Sequence, residues 1–381
     1  MLDDQQPRTG SSPSGAGEGR RRRRRGLRIA AWATAGVVLL GAAGAGYVYH
    51  RLNSNIHSVN IDGALGRNRP APLGNGSMDI LVLGSDSRSG ANKKYGHDNG
   101  TARSDTAMIV HLNKGHTSAG VVSIPRDTLV ARPACTGSDG RTEPAGRLEM
   151  FNSAYEVGGP VCAVKTVERL TGLRMDHYIE VDFTGFKNLV NALDGVPLTT
   201  TRPIHDHDSH LSLPAGTHTL TGEQALGLVR TRHAVADGSD LGRIQLQQAF
   251  MKALMNRVSG LGLLSSPTKL FSVADTTTRA VTTDTGLGSV NRLMSLAESV
   301  QHLKAGNVHM VTLPVRYAAD DPGRVEPIDR QAAMVWAALR ADKPIPAAAT
   351  RGSAGTDVNA AKVVRGAGGA KSTASPPPSA P

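Results

Sequence analysis

Short apolar runs alternate with stretches of helical periodicity through the middle of the chain. The apolar runs predict buried strands, which cover residues 78–84, 106–112, 118–125, 177–183 and 308–315. Apolar residues at helical spacing predict helices over residues 160–172, 184–193, 244–258, 291–303 and 329–341. Because strands and helices take turns, the pattern predicts an α/β fold, an α/β/α sandwich with a central mixed sheet.

Local signals mark where some of these elements begin and end. Thr221 and Gln224 have the spacing of a capping box, which predicts a helix that begins there. Gly195 predicts the end of the helix over residues 184–193, since glycine readily adopts the left-handed conformation that terminates helices.

A basic run and a long apolar run adjoin each other near the N-terminus. Residues 29–49 are 21 residues without a charge, and they would span roughly 30 Å, the thickness of a bilayer core. Basic residues before an apolar span favour the cytoplasmic side. The pattern predicts one transmembrane helix, preceding the sandwich, in a single-pass protein of the cell membrane with a cytoplasmic N-terminus. A cleaved signal peptide is the alternative, since residues 43–45 could serve as a small-residue cleavage site.

Composition refines this organisation. The chain has 381 residues, a net charge of +11 and only 3% aromatic residues, so its core must rest on aliphatic side chains. Seven positive charges come from Arg20–Arg25 and Arg28. Their position beside an apolar span argues against a nucleic-acid patch. We therefore expect a lipid bilayer, and no nucleic acid, as the partner of this segment.

The remaining segments follow from their composition. Residues 1–28 are predicted to form a disordered, basic cytoplasmic segment, and residues 344–381, rich in Ala, Pro, Ser and Gly, a disordered tail. Residues 50–76 are predicted to be a juxtamembrane linker. Residues 77–343 are then one extracytoplasmic catalytic domain.

The two cysteines both lie in the part predicted to be exported. An oxidising compartment permits a disulfide between Cys135 and Cys162, closing a loop of about 27 residues that is worth roughly 3 kcal/mol in the chain-entropy model. Two free buried thiols or a metal site are the alternatives.

Charged residues gather at the ends of the predicted elements. Each alone could cap a turn or complement a helix dipole. Together, carboxylates suit a hard cation such as Mg²⁺ and arginine forks suit phosphate oxygens. The set predicts a site for a diphosphate–metal complex, and the absence of a Walker motif argues against a nucleotide. Its members are Asp86, Arg88, Arg103, Asp105, Arg126, Asp127, Arg230, Arg232, Asp240 and Arg243.

Seven stretches, in their order along the chain, resemble the LytR-CpsA-Psr family. They are VLGSDSR (82–88), RSDTAMIVHL (103–112), VVSIPRDT (121–128), FNSAYEVGGP (151–160), HYIEVDFTGFKNLVNALDGVPL (177–198), LPAGTHTLTGEQALGLVRTRH (213–233) and DLGRIQLQQ (240–248). Any one stretch is only moderately specific, whereas the ordered set is highly specific.

The resemblance implies an enzyme, a glycopolymer–peptidoglycan phosphotransferase. Such proteins move a glycopolymer from a polyprenyl-diphosphate carrier onto a muramic acid hydroxyl of peptidoglycan, form a phosphodiester and release polyprenyl phosphate. By motif match, Asp86 and Asp105 would hold Mg²⁺ (or Mn²⁺). These two carboxylates and Arg126 would be catalytic. The diphosphate would be bound by Arg88, Arg126, Arg230, Arg232, Arg243 and Gln247.

Three details remain open at this point. Leu246 stands where the last motif usually has Arg, which puts the phosphate contacts in doubt. A metal-bound carboxylate, Asp86 or Asp105, is expected to take the hydroxyl proton. The apolar faces of residues 160–172 and 184–193 are expected to line a groove for the lipid tail.

Two alternative functions are compatible with the same sequence. A pyrophosphatase would transfer the same phosphoryl group to water, and a transcriptional attenuator would have no catalysis at all. The stretch HDHDSH, residues 205–210, has the composition of a Zn²⁺ site, but its position between strands favours a solvated loop.

Overall fold

The computed structural model describes residues 39–85, 104–137, 139–232, 240–262, 266–357 and 363–366. The chain divides into two units, Met1–Arg51 and Leu52–Pro381. In the first unit, the described residues 39–51 are helical and mostly exposed. Within the described ranges, no helix is long and apolar enough to cross a membrane. Residues 29–38, the first part of the predicted span, lie outside those ranges.

The second unit contains the strands and most of the helices. Its strands are β1 (His57–Val59), β2 (Met78–Ser85), β3 (Ser104–Leu112), β4 (Ala119–Ile124), β5 (Leu129–Arg132), β6 (Cys135–Thr136), β7 (Thr142–Glu143), β8 (Gly146–Met150), β9 (His177–Asp182), β10 (Val196–Thr200), β11 (Ile204–Asp206), β12 (Leu211–Leu213), β13 (Gly216–Leu220), β14 (Val281–Asp284), β15 (Val308–Thr312), β16 (Val315–Tyr317), β17 (Val325–Pro327) and β18 (Val364–Gly366).

The helices are numbered from the helical segment 39–55, which is α1. The others are α2 (Ile61–Leu65), α3 (Phe151–Thr171), α4 (Phe183–Ala192), α5 (Gly222–Arg230), α6 (Asp240–Gly260), α7 (Pro267–Ala280), α8 (Val290–Ser299), α9 (Asp329–Arg340) and α10 (Ala354–Asp357).

Seven strands form the central sheet, in the order β1-β14-β9-β2-β3-β4-β15. The pairs β1–β14, β2–β9 and β4–β15 are parallel, and the other three neighbouring pairs are antiparallel. The predicted mixed sheet is therefore confirmed.

Alternate residues of the central strands face opposite helical layers. Leu81 and Leu83 of β2 are fully buried in one apolar cluster, which also contains Val167 of α3 and Trp336 of α9. Ile80 lies in a second cluster on the other face, against which Met255 of α6 packs. The period of two along β2 thus provides both faces of the sandwich.

A smaller sheet, in the order β13-β10-β18, packs with α4, α5 and α6 around a separate apolar cluster. The capping box predicted at Thr221 and Gln224 begins α5, because the Thr221 hydroxyl and the Gln224 side chain bond each other's backbone N–H. Leu246 is fully buried in this cluster. This chain therefore uses the position of the missing family Arg for packing.

Helix α3 begins nine residues before the predicted start at residue 160. Its backbone kinks at Gly158 and Gly159, where φ is −142° and 58°, and Pro160 opens the second half. Proline is well tolerated at the start of a helical segment but not inside one. A disulfide joins Cys135 to Cys162, just after the kink, with Cα atoms 5.6 Å apart. The predicted pairing is confirmed.

The predicted linker and tail both contribute to the folded unit, so those boundaries are wrong. Strand β1 pairs with β14, and Ile61 of α2 is 3% exposed in the main core. Strand β18 pairs with β10, and Val363 and Val364 are 3% and 2% exposed. Composition favoured disorder because isolated apolar residues in a polar segment carry no periodicity, yet the domain surface offers them partners.

Buried charges lie at the end of the sheet opposite the charged cluster described below. His111 Nδ1 lies 2.8 Å from Asp79 Oδ1, and its Nε2 lies 3.2 Å from Asp342 Oδ1. Burial lowers the pKa of His111, but the two carboxylates outweigh burial and raise this pKa above the usual 6.5. The imidazole of His111 therefore ties β2 and β3 to the C-terminal end of α9.

Deleting residues 344–381 should destabilise the protein. Burying a valine side chain is worth about 1.5–3 kcal/mol, so losing Val363 and Val364 should lower the free energy of unfolding by about 3 kcal/mol or more. Chemical denaturation of the full chain and of a chain ending at Lys343 measures the difference. A chain ending at Gly366 is the matched control and should match the full chain; equal stability of all three would contradict the role of β18.

The His111 pair predicts a pH dependence of stability. Because the pKa is raised in the folded protein, its contribution is present below the unfolded value near 6.5 and is lost as pH rises through the folded value. A tenfold gain in the proton affinity of the imidazole on folding corresponds to about 1.4 kcal/mol of stability. Denaturation from about pH 6 to about pH 9 should show this loss, and His111→Gln should remove it. His309→Gln, at an exposed position of β15, should keep it; the same slope in all three proteins would contradict the pairing.

Candidate active site

Charged side chains from three elements meet where β4 ends and β3 begins. Arg126, just after β4, donates from Nη1 to Asp105 Oδ1 of β3 at 2.7 Å. Its backbone N–H donates to Asp240 Oδ2, at the first residue of α6, at 3.2 Å. Its Nε donates to Asp127 Oδ2 at 3.4 Å. Three carboxylates therefore surround one arginine.

Helix α6 brings a second arginine to the same place. Arg243 Nη2 donates to the backbone carbonyl of Asp105 at 2.9 Å and forms an ion pair with Asp240, three residues earlier on the helix. The Arg243 side chain is 3% exposed. Asp240 thus contacts both arginines, and it fixes their separation from inside the protein.

Gln247 lies one turn further along α6. Its Nε2 donates to Thr106 Oγ1 and to the carbonyl of Val229, each at 3.0 Å. The amide therefore ties β3 to the end of α5 and braces the strand that carries Asp105.

Two further predicted arginines, Arg230 and Arg232, lie at the end of α5 and just after it. Arg230, its last residue, places its guanidinium 5.1 Å from the centre of the Phe183 ring. The backbone N–H of Arg232 donates to Asp206 Oδ2 at 3.0 Å. Among the described residues, the Arg232 guanidinium has no ion-pair partner within 4.0 Å.

The positive charges of this site repel one another. Burial lowers the pKa of Arg232, and the charges of Arg243 and Arg126 lower this pKa further. Burial opposes ionisation of Asp105, but the same two arginines outweigh burial and hold its pKa below the usual range. The arginines therefore favour negative charge at Asp105 and close to Arg232.

Two carboxylates of this site were given no role by the motifs. The sequence shows Asp127 and Asp240 only as charges at element ends. Asp127 follows Arg126 directly, and Asp240 precedes Arg243 by three residues. That spacing was the available signal. Burial raises the pKa of Asp127, and the nearby negative charge of Asp240 opposes the lowering effect of Arg126.

A polar network lies beside the end of β2. Tyr155 of α3 and Tyr178 of β9 donate their hydroxyls to the carboxylate of Glu180, and Tyr155 also hydrogen-bonds to Ser85. Burial and the Glu180 charge raise the pKa of both phenols, so both remain neutral donors. Ser85 is the last described residue before Asp86.

Several predicted site residues cannot be placed. Asp86, Arg88 and Arg103 lie outside the described residues, which end at residue 85 and resume at 104. The structure thus brings together Asp105, Arg126 and Arg243. Gln247 joins them through its bond to Thr106, the residue after Asp105. The backbone of Arg232 is held by Asp206.

Of the two predicted metal ligands, Asp105 lies within the described residues. Arg126 uses Oδ1 of that carboxylate, which leaves Oδ2 as a ligand of the kind that hard cations prefer. Within the described ranges, no group of three or more His, Cys, Asp or Glu is arranged to hold a metal ion. Other ligands would have to come from Asp86 or from phosphate oxygens.

The histidine-rich stretch forms the turn of the β11–β12 hairpin. His207 is 99% exposed, whereas Asp206 points inward and accepts the N–H groups of Ser209 and Arg232. The predicted loop is confirmed, and its buried carboxylate supports the arginine segment.

The expected lipid groove along α3 and α4 stays a prediction. Val164 and Val167 of α3 have no exposed surface and belong to the main core, whereas Val161 and Leu170 are only partly buried against it. Val190 of α4 is likewise fully buried. Periodicity identified these faces as apolar but could not tell a core contact from a binding surface.

The chain resembles proteins of one family along most of its length. The sequence profile of the LytR_cpsA_psr family matches residues 48–340. Cell wall biosynthesis protein LcpA of Corynebacterium glutamicum is 34% identical over 307 residues, which are 73% of this chain and 58% of LcpA. The polyisoprenyl-teichoic acid–peptidoglycan teichoic acid transferase TagT of Bacillus subtilis is 33% identical over 236 residues, 59% of this chain and 67% of TagT. This chain thus spans less than two thirds of LcpA.

Solved structures agree in fold. A LytR-Csp2A-Psr enzyme from Actinomyces oris superposes with a TM-score of 0.56 at 22% identity, over 81% of this chain and 98% of that one. TagT bound to LIIa-WTA superposes with a TM-score of 0.52 at 27% identity, over 72% of this chain and 94% of that one. With the family profile matching from residue 48 to residue 340, the chain belongs to the LytR_cpsA_psr family.

Proposed function

We propose that the protein is a membrane-anchored phosphotransferase that moves a glycopolymer from a polyprenyl-diphosphate carrier onto peptidoglycan. The product would be a phosphodiester to a muramic acid hydroxyl, and polyprenyl phosphate would be released. Relatives named as teichoic acid transferases support the reaction class.

The crowding of Arg126, Arg232 and Arg243 is the observation that carries this proposal. Burial lowers the pKa of Arg232, and the charges of Arg243 and Arg126 lower this pKa further, so an anion bound beside Arg232 would be favourable. A diphosphate offers several oxygens for charge-assisted hydrogen bonds to guanidinium groups. The flanking carboxylates keep Arg126 and Arg243 oriented.

An apolar surface further along α6, about 18 Å from Arg243 at 1.5 Å per residue, supports a lipid-linked donor. Helix α6 carries Arg243 in its first turn and Met255 further along, where Met255 packs on the second face of the sheet. Leu296, Val300 and Leu303 are also only partly buried against that face. One helix therefore connects the charged cluster to an incompletely covered apolar surface, as a diphosphate with a polyprenyl chain would require.

The chemistry follows from the charges of the site. The acceptor hydroxyl attacks the phosphorus attached to the glycan, and the bond from that phosphorus to the polyprenyl phosphate oxygen breaks. Negative charge spreads over the phosphoryl oxygens in the transition state. Arg126 and Arg243, held in place before the substrate arrives, stabilise that charge without a cost of reorganisation.

Mg²⁺, or Mn²⁺, would be held by Asp105 together with Asp86 and would supply additional neutralisation of phosphate charge. We also propose that residues 29–49 anchor the chain in the cell membrane, with residues 52–366 on the outer side. The Cys135–Cys162 disulfide supports that location, because such bonds persist in oxidising compartments.

The reaction should be detected directly. The full chain in detergent, incubated with a short polyprenyl-diphosphate oligosaccharide, Mg²⁺ and uncrosslinked peptidoglycan, should attach the sugar to the glycan, as measured by mass spectrometry. Arg126→Ala and Asp105→Asn should each lower the rate at least about 100-fold, since each removes charge from the transition-state site.

Asp320→Asn, at an exposed position outside the charged cluster, is the matched control and should transfer normally. Polyprenyl phosphate released without sugar on the glycan would indicate a hydrolase instead. No lipid product from folded protein would contradict an enzymatic function of any kind.

Arg232 should contribute to donor affinity rather than to folding. Losing one charge-assisted contact costs about 1.5–3 kcal/mol, so Arg232→Gln should weaken donor binding by roughly 10-fold to 100-fold. Stability should stay the same or rise, because the substitution relieves repulsion with Arg243 and Arg126. Donor titration and thermal denaturation measure the two quantities.

The matched control is Arg316→Gln, since Arg316 is an exposed arginine of β16. It should change neither quantity. If Arg232→Gln bound the donor as tightly as the unchanged protein, the proposed diphosphate site would be in the wrong place.

A further inference from the structure

Transfer to a hydroxyl requires a group that takes the hydroxyl proton. Asp105, Asp127 and Asp240 are the carboxylates that contact Arg126 in the described part of the chain. They differ in how fully the arginines already use them, and this difference separates their roles.

Asp105 and Asp240 are committed to arginines. Asp105 accepts from Arg126 at 2.7 Å, and its own backbone carbonyl accepts from Arg243. Asp240 is 10% exposed, accepts the Arg126 backbone N–H and forms the ion pair with Arg243. Both carboxylates are therefore held by close contacts with arginines, which leaves them less free to meet an incoming hydroxyl.

Asp127 is less strongly bound than Asp105, although the two side chains are almost equally exposed. Its contact with Arg126 Nε is 3.4 Å long, and its side chain is 22% exposed. Its backbone is fixed, because Val325 N–H donates to its carbonyl at 3.3 Å and the next residue, Thr128, donates to Pro125 O through both its N–H and its hydroxyl. A partly exposed carboxylate on a rigid turn, with one long contact to an arginine, can meet an incoming hydroxyl.

The charged groups around Asp127 come from three elements. Arg126 belongs to its own turn, Arg232 follows α5, and Asp240 and Arg243 begin α6. Burial and the Asp240 charge outweigh the three arginines and raise the pKa of Asp127. A raised pKa makes a carboxylate a better proton acceptor than it is in water.

We propose that Asp127 is the general base, which accepts the proton of the acceptor hydroxyl as that oxygen attacks phosphorus. This inference rests on the proposed phosphotransferase function. The oxygen–hydrogen bond of the acceptor breaks, the new phosphorus–oxygen bond forms, and the electron pair of the cleaved bond leaves with polyprenyl phosphate. The proton stays on an Asp127 carboxylate oxygen until solvent removes it.

The test compares the full chain with Asp127→Asn and Asp127→Glu. Loss of a general base typically costs 10²-fold to 10⁴-fold in rate, so Asp127→Asn should lower kcat at least about 100-fold. Donor affinity should stay the same or rise, because a negative charge beside Arg126 is removed. Asp127→Glu should keep a measurable fraction of the rate.

The pH profile separates catalysis from a structural role. The unchanged protein should lose kcat/KM as pH falls through the pKa of Asp127, since a base must be deprotonated to act. Asp127→Glu should retain this acidic limb, and Asp127→Asn should lack it. Circular dichroism should show that both variants fold, and Asp320→Asn should reproduce the unchanged profile.

The outcomes distinguish the assignment of Asp127 from the proposed phosphotransferase function. Near-normal kcat in Asp127→Asn, or an unaltered acidic limb, would overturn the assignment of Asp127 and leave the phosphotransferase intact. A rate loss that is matched by an equal loss of donor affinity would overturn it as well. Absence of transfer by the unchanged protein would overturn the proposed function and this assignment with it.

Discussion

Repulsion between arginines is the constraint on which the site depends. Arg126 and Arg243 lie close together only because Asp240 contacts both of them from a position that is 10% exposed. Asp240 begins α6, and the same helix packs on the sheet and on the smaller apolar cluster. The packing of α6 therefore supplies the free energy that holds like charges together, and the site cannot form without the fold.

The two ends of the sheet carry different sets of charged side chains. At one end, three arginines meet three aspartates, and burial and the charges of the other two arginines lower the pKa of Arg232. At the opposite end, His111 lies between Asp79 and Asp342, so two carboxylates share one imidazole. Only the first set offers guanidinium groups, whose geometry suits phosphate oxygens.

The sequence predicted the sandwich, the mixed sheet and most helices, because apolar periodicity records which face of each element is buried. It also predicted that Asp105, Arg126 and Arg243 would converge. It gave no role to Asp127 or Asp240, since a carboxylate's role depends on which arginines come near in space. It misplaced the boundaries at residues 77 and 343, where β1, α2 and β18 gain order only from contacts with distant strands. For residues 160–172 the periodicity predicted an apolar face. It could not show whether the core or a ligand covers that face.

The kink at Gly158 and Gly159 divides α3 into two parts with different neighbours. The first part begins beside the site, where the backbone N–H of Asn152 donates to the carbonyl of Arg126. The second part packs its valines into the core and is fastened by Cys162 to the strand β6. A straight helix would transmit every change in one part to the other as a rotation. The two glycines interrupt the helix, so the first part can follow the turn that carries Arg126 while the second part stays in register with the sheet.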